Sequence, residues 1–210
     1  MVAAVTDPYA TALEYRARTG GSGTGDDATI LLQTTAVSRY LDARLRRFFT
    51  QDAAAVTRIF DGNGQEKLWL PADIASITGL IVTVDLDGDY SFTDETALVL
   101  DTDFWLGPMN ADKGAEVRPF EWMKVHPNST RLSIWPEQQR AIQITAIWGW
   151  SAVPSAIKEL CIAITRQLRD MEESGFTLTL ENVDAAIRVS PQTAWLLRDI
   201  EREYARPPSF

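Results

Sequence analysis

Apolar positions recur at spacings of three and four along two widely separated stretches of the chain. In the first, Ile30, Thr34, Val37, Leu41, Leu45 and Phe48 form one stripe, which predicts an amphipathic helix over residues 26–49. In the second, Val153, Ile157, Leu160, Cys161, Ile164, Leu168 and Met171 do the same and predict a helix from Pro154 to about Glu173. A third stripe, Leu196, Leu197, Ile200 and Tyr204, follows Ser190-Pro191, where Ser190 is placed to cap and Pro191 to open the helix. A shorter helix is expected from Asp7-Pro8, with Leu13 and Ala17 turned inward beside Tyr9. Isolated helices of these lengths are marginal in water, whereas each fully buried aliphatic side chain contributes about 1.5–3 kcal/mol. The stripes therefore need one another, or the region between them, to be stable.

That intervening region has a different pattern. Short apolar runs at 67–70, 79–84, 97–100, 131–135 and 141–147 are separated by Asp-Gly, Gly-Pro and Pro-Asn breaks, as expected of five to seven strands joined by turns. Asp61-Gly62-Asn63-Gly64 and Asp87-Gly88 are hairpin signals, because primed turns need positive φ. The architecture expected is α+β: a helical bundle of three to four helices with a β-rich insertion between the two long core helices. In that reading residues 1–56 and 149–205 form the bundle, 57–148 the insertion and 206–210 an extended tail. Residues 19–25, with four glycines, read as a mobile linker; no strand precedes them and no Gly-Lys-Ser/Thr follows, so a phosphate loop is not indicated. Thr24 and Asp27 resemble a capping box ahead of the first long helix, and 176–180 reads as a short extended segment.

Composition narrows the function. With 210 residues, 45% hydrophobic and 23% charged, the chain is long enough for one compact domain or a domain with an insertion. The single Cys161 lies on a helical stripe and reads as a small core residue; together with the single His126 it cannot supply a usual zinc ligand set. No apolar run approaches the length of a membrane span, and the first residues lack a basic segment leading into an apolar one, so a soluble protein without a signal peptide is expected. A net charge of -9 disfavours binding to duplex DNA, whose non-specific affinity comes from Lys and Arg displacing counterions. It suits a wall that DNA must slide past.

Catalytic signatures are missing. His126 sits in a turn-like context without a nucleophile motif, and none of the 29 acidic residues forms a pair that spacing singles out. Asp85-Leu-Asp87-Gly-Asp89 begins like a calcium loop, but its sixth place is Tyr90 rather than Gly and its twelfth Thr96 rather than Glu, so a polar hairpin tip is expected. No enzyme activity, metal or cofactor is expected. Seven tryptophans, at 69, 105, 122, 135, 148, 150 and 195, leave a carbohydrate-binding β module as the alternative from another functional class.

Two segments, about a third of the chain, resemble the head-to-tail connector (adaptor) proteins of tailed bacteriophages. One is Tyr-Ala-Thr-Ala-Leu-Glu-Tyr-Arg-Ala-Arg-Thr-Gly at 9–20, followed by Asp26-Asp27, Leu31-Leu32 and Tyr-Leu-Asp-Ala-Arg-Leu-Arg-Arg-Phe-Phe at 40–49. The other, at 144–161, runs Ile-Thr-Ala-Ile-Trp-Gly-Trp-Ser-Ala-Val-Pro-Ser-Ala-Ile-Lys-Glu-Leu-Cys. Departures are the glycine-rich linker, the large insertion at 57–143 and the added C-terminal helix. The resemblance implies a structural virion protein, made in the host cytoplasm and placed in the neck. There it would form a ring of twelve subunits beneath the portal protein, extend the channel through which genomic DNA passes without sequence-specific binding, and offer a platform for the stopper or tail protein. Another neck or tail ring protein is the alternative within that class. By position, Ser190, Trp195, Arg206, Pro207, Pro208 and Phe210 would meet the portal, with linker and tail becoming fixed only there. Arg44, Arg46 and Arg47 complement the dipole of the first long helix and are candidates for an acidic partner surface.

Overall fold

The computed structural model describes residues 7–21, 23–114, 116–173, 175 and 190–206. The chain divides into two compact units, residues 1–49 with 153–210 and residues 50–152. The extended segment expected at 176–180 and the tail residues 207–210 lie outside the described residues.

Four α-helices are found among the described residues of the first unit: α1 (Ala12–Thr19), α2 (Asp27–Leu45), α3 (Ser155–Glu173) and α4 (Pro191–Tyr204). Helix α3 packs against the other three, as its continuous apolar stripe requires; Ile157, Leu160, Cys161, Ile164 and Leu168 are all buried. Helix α4 begins as expected, with Ser190 Oγ accepting from Thr193 N at 3.3 Å and Pro191 in the first turn. Helix α1 departs from expectation. Thr11 caps it through a reciprocal capping box with Glu14, so it starts later than Asp7-Pro8 and presents a different face. Tyr15 is buried while Leu13 is 72% exposed and Ala17 is exposed too.

Helix α2 also ends before its expected limit. Arg46 takes a left-handed conformation at φ 54, which redirects the chain and exchanges the two phenylalanines: Phe48, assigned to the stripe, is 58% exposed, and Phe49 is buried. Thr24 and Asp27 do not form the capping box; Asp26 holds the cap position without a side-chain bond.

The second unit holds a five-stranded antiparallel sheet of β1 (Val56–Phe60), β2 (Lys67–Val84), β3 (Phe104–Gly107), β4 (Phe120–Val125) and β5 (Ile142–Trp148), in the order β1-β5-β2-β4-β3. The runs at 67–70 and 79–84 belong to one strand. Register shifts let the first part of β2 pair with β4 and its later part with β5. The runs at 97–100 and 131–135 are not strands; Leu98 makes only an isolated bridge to Val82, and Trp135 is buried with its indole N–H donating to the Glu66 carbonyl at 3.1 Å. Neither turn signal joins two neighbouring strands of the sheet, because β5 lies between β1 and β2, and β4 between β2 and β3; beyond Asp87-Gly88 the chain returns only to the single antiparallel bridge between Leu98 and Val82.

These findings correct the expected fold class. The sheet closes a core of its own, with Ile74, Phe104, Met123, Trp135, Ile142, Ile144 and Ala146 each almost inaccessible. The fold is thus a sheet-dominated α+β arrangement, not a helical bundle decorated by an insertion. Alternation and turn residues reveal strands, but the long-range pairings that make a sheet the organising layer have no local signal.

Candidate interaction surfaces

The groups with chemical potential are used within the fold. His126 Nδ1 accepts from Asn128 N at 3.1 Å, and its ring meets Trp105 edge-on at 4.5 Å. Asp85, Asp87 and Asp89 bring carboxylate oxygens within 4.8 Å of one another. Burial works to raise the Asp85 carboxyl, but donation from Gly88 N and Tyr90 N outweighs it and holds the group below its ordinary value. With Gln138 Nε2 also donating at 3.0 Å, the carboxylate serves as the acceptor that shapes its own turn.

Tryptophan placement weakens the sugar-binding alternative. Trp135, Trp148 and Trp150 are buried, and their indole N–H groups donate to Glu66 O, Val56 O and Asp73 Oδ2. The strongly exposed pair, Trp69 at 56% and Trp195 at 67%, belongs to different units. Trp69 sits opposite Trp122 across β2 and β4, and the Lys67 ammonium lies over both rings at 3.9 and 4.2 Å. Gly107 on β3 completes this packing, since a Cβ there would fall 2.0 Å from the Trp122 ring. The Lys67 ammonium thus covers one face of each ring.

Of the six described residues proposed for partner contact, four, Arg44, Arg46, Arg47 and Arg206, fall at one end of the helical unit. Arg44 Nε pairs with Glu201 Oε1 at 2.5 Å, and Arg206 N–H donates to the Leu45 carbonyl at 3.0 Å, so the C-terminal ends of α2 and α4 meet. Arg46 is exposed at the turn that ends α2, with exposed Phe48 two residues on; Arg47, at 6% exposure, is buried and presents no charge at the surface. Ser190 is occupied in capping α4, Trp195 stands out from that helix, and Pro207, Pro208 and Phe210 lie outside the described residues. Glu201 escaped sequence reasoning because no local pattern links positions 157 apart.

A buried polar clasp lies beneath this end and was also missed. The Tyr9 hydroxyl donates to Asp42 Oδ1 and accepts from Phe49 N at 3.0 Å, while Arg39 Nε approaches Asp42 Oδ2 at 3.0 Å. Phe49 packs edge-on against Tyr9 and Tyr204, at 5.7 and 6.0 Å between centroids. Burial pushes the Asp42 carboxyl up to about 6, against the downward pull of the Tyr9 hydrogen bond and Arg39. Burial and then Asp42 itself push the Tyr9 hydroxyl well above its ordinary value.

Charge divides unequally between the units. Residues 50–152 hold 15 Asp and Glu against 7 Lys and Arg, a net -8 of the whole chain's -9. Among the described residues no helix is long and apolar enough to cross a membrane.

No family model and no curated protein matches the chain. Among solved structures, a chain from the neck of an empty GTA particle computed with C6 symmetry matches at 14% identity, with a TM-score of 0.52, over 94% of this chain and 90% of that one. A chain from the virion of a native gene transfer agent (GTA) particle matches at 18% identity, with a TM-score of 0.44, over 90% of this chain and 85% of that one. Over 94% of its length, this chain shares the fold of a protein in the neck of an empty GTA particle.

Proposed function

We propose that the chain is a structural ring protein in the neck of a phage-like particle, and within that class the head-to-tail adaptor. In this reading it forms a ring, of twelve subunits by the family resemblance, beneath the portal protein. It extends the DNA channel, provides the docking platform for a stopper or tail protein, and carries out no catalysis. The observation that carries the proposal is the fold likeness to a neck protein over 94% of the chain. The adaptor-like segments at 9–49 and 144–161 support the finer assignment. The strongly acidic sheet unit is consistent with a channel that must not hold phosphates.

Quantitative mass spectrometry of purified, DNA-filled particles tests the reading. A copy number equal to that of the portal protein is expected; absence from particles would overturn it.

The portal contact is assigned to Ser190, Trp195, Arg206, Pro207, Pro208 and Phe210. Deleting residues 206–210 leaves all four helices complete, so the fold is expected to survive. Portal binding, measured by sedimentation with purified portal rings, is expected to weaken at least about tenfold, a loss of about 1.4 kcal/mol or more. Unchanged binding by a folded truncation would remove the tail from the contact.

A further inference from the structure

We infer that successive copies of the chain pack head to tail, with the Arg46 and Phe48 end of one helical unit receiving the acidic segment 85–103 of the next copy's sheet unit. The inference rests on the ring reading above and names the two surfaces that would close it. On the receiving side, Arg46 ends α2 in a left-handed turn and is exposed, as is Phe48 two residues on, at 58%. Aromatic residues and arginine are both enriched at interfaces.

The donating side is complementary in charge. Residues 85–103 carry seven Asp and Glu and no Lys or Arg. Arg131 binds the Thr96 and Ala97 carbonyls and approaches Asp103 at 3.8 Å, which offsets charge at one end of the segment. Asp87, Asp89 and Asp94 are exposed at the other, alongside Tyr90 at 63% exposure. This surface therefore offers carboxylates and an aromatic ring to the arginine and phenylalanine of a second copy.

The same imbalance selects the symmetry. A two-fold contact through the sheet units would set one net charge of -8 against another, and like charges across an interface cost several kcal/mol. A head-to-tail contact instead places the acidic unit against the nearly neutral, arginine-bearing one. Such a heterologous contact closes into a ring when its rotation permits.

Charge reversal in the full-length protein tests this. Arg46→Asp suits the left-handed turn, because Asp tolerates positive φ better than most residues. Asp87→Arg with Asp94→Arg alters exposed positions. Sedimentation velocity at low salt, with thermal melts as a check on folding, is expected to show self-association by the wild type that salt weakens. Each reversal should weaken it at least about tenfold, and the combined triple variant should recover it. Wild-type rings unaffected by either reversal would overturn the contact and leave the ring reading standing. A wild type that stays monomeric at low salt would also overturn the contact, while the copy number in particles decides the neck reading separately.

Discussion

Replacing Gly149 with alanine is expected to unfold the sheet unit or destabilise it by more than about 4 kcal/mol, beyond the usual range for one substitution. Gly149 has a φ of 104, which L side chains rarely adopt, and an added Cβ would lie 1.9 Å from the Thr50 carbonyl oxygen. The turn cannot shift to make room. Gly149 N–H donates to Asp73 O at 2.8 Å, and the Trp148 carbonyl accepts from Asp52 N at 2.8 Å. On either side Trp148 and Trp150 are buried, each with its indole N–H bonded within the same unit. Urea titration followed by tryptophan fluorescence would measure the loss. Gly23→Ala is the control, since nothing lies within 4 Å of its Cβ position, and it should change stability by less than about 0.5 kcal/mol. A Gly149→Ala protein as stable as this control would show that the turn is not closely packed against Thr50.

The second large effect is a pH-dependent difference between the wild type and Asp42→Asn. The Asp42 carboxyl is raised from 3.8 to about 6 in the fold, chiefly by burial, so the fold favours its protonated form. Its contribution is fully present below pH 3.8 and is lost as pH rises through about 6. With about 1.4 kcal/mol for each pH unit of displacement, roughly 3 kcal/mol is at stake. Asn cannot ionise, yet its carbonyl oxygen can accept the Tyr9 hydroxyl in the place of Asp42 Oδ1. The stability of Asp42→Asn relative to wild type should therefore improve by roughly 2–2.5 kcal/mol between pH 4 and 7, then level off. The difference between the two proteins cancels the titration of the other acidic groups. Denaturant melts across that range would reveal it, and a difference independent of pH would mean that Asp42 is not held in a desolvated clasp.

Both results concern features that local pattern could not disclose. Trp148-Gly149-Trp150 is visible as a turn, but the need for glycine comes from Thr50, a hundred residues away and brought close by folding. Asp42 is one polar residue on the flank of a helical stripe. Only the approach of Tyr9 from the preceding segment turns it into a buried hydrogen-bonded group.

What the sequence determined by itself is what local physics encodes. The stripes of α2, α3 and α4, the Ser190-Pro191 start, the strand character of 79–84 and 141–147 and the core role of Cys161 follow from side-chain period and capping chemistry. Helix ends were less legible, because Arg46 adopts positive φ without the glycine that would announce it, and this places Phe49 rather than Phe48 inside. The tertiary structure alone decided the strand order, the merging of two apolar runs into β2 and the meeting of Arg44 with Glu201. It also put Arg47 out of a partner's reach and set the Lys67 ammonium over two tryptophan rings. Each of these depends on residues far apart in the chain, whose proximity is fixed by the total burial of the fold and leaves no mark at either position alone.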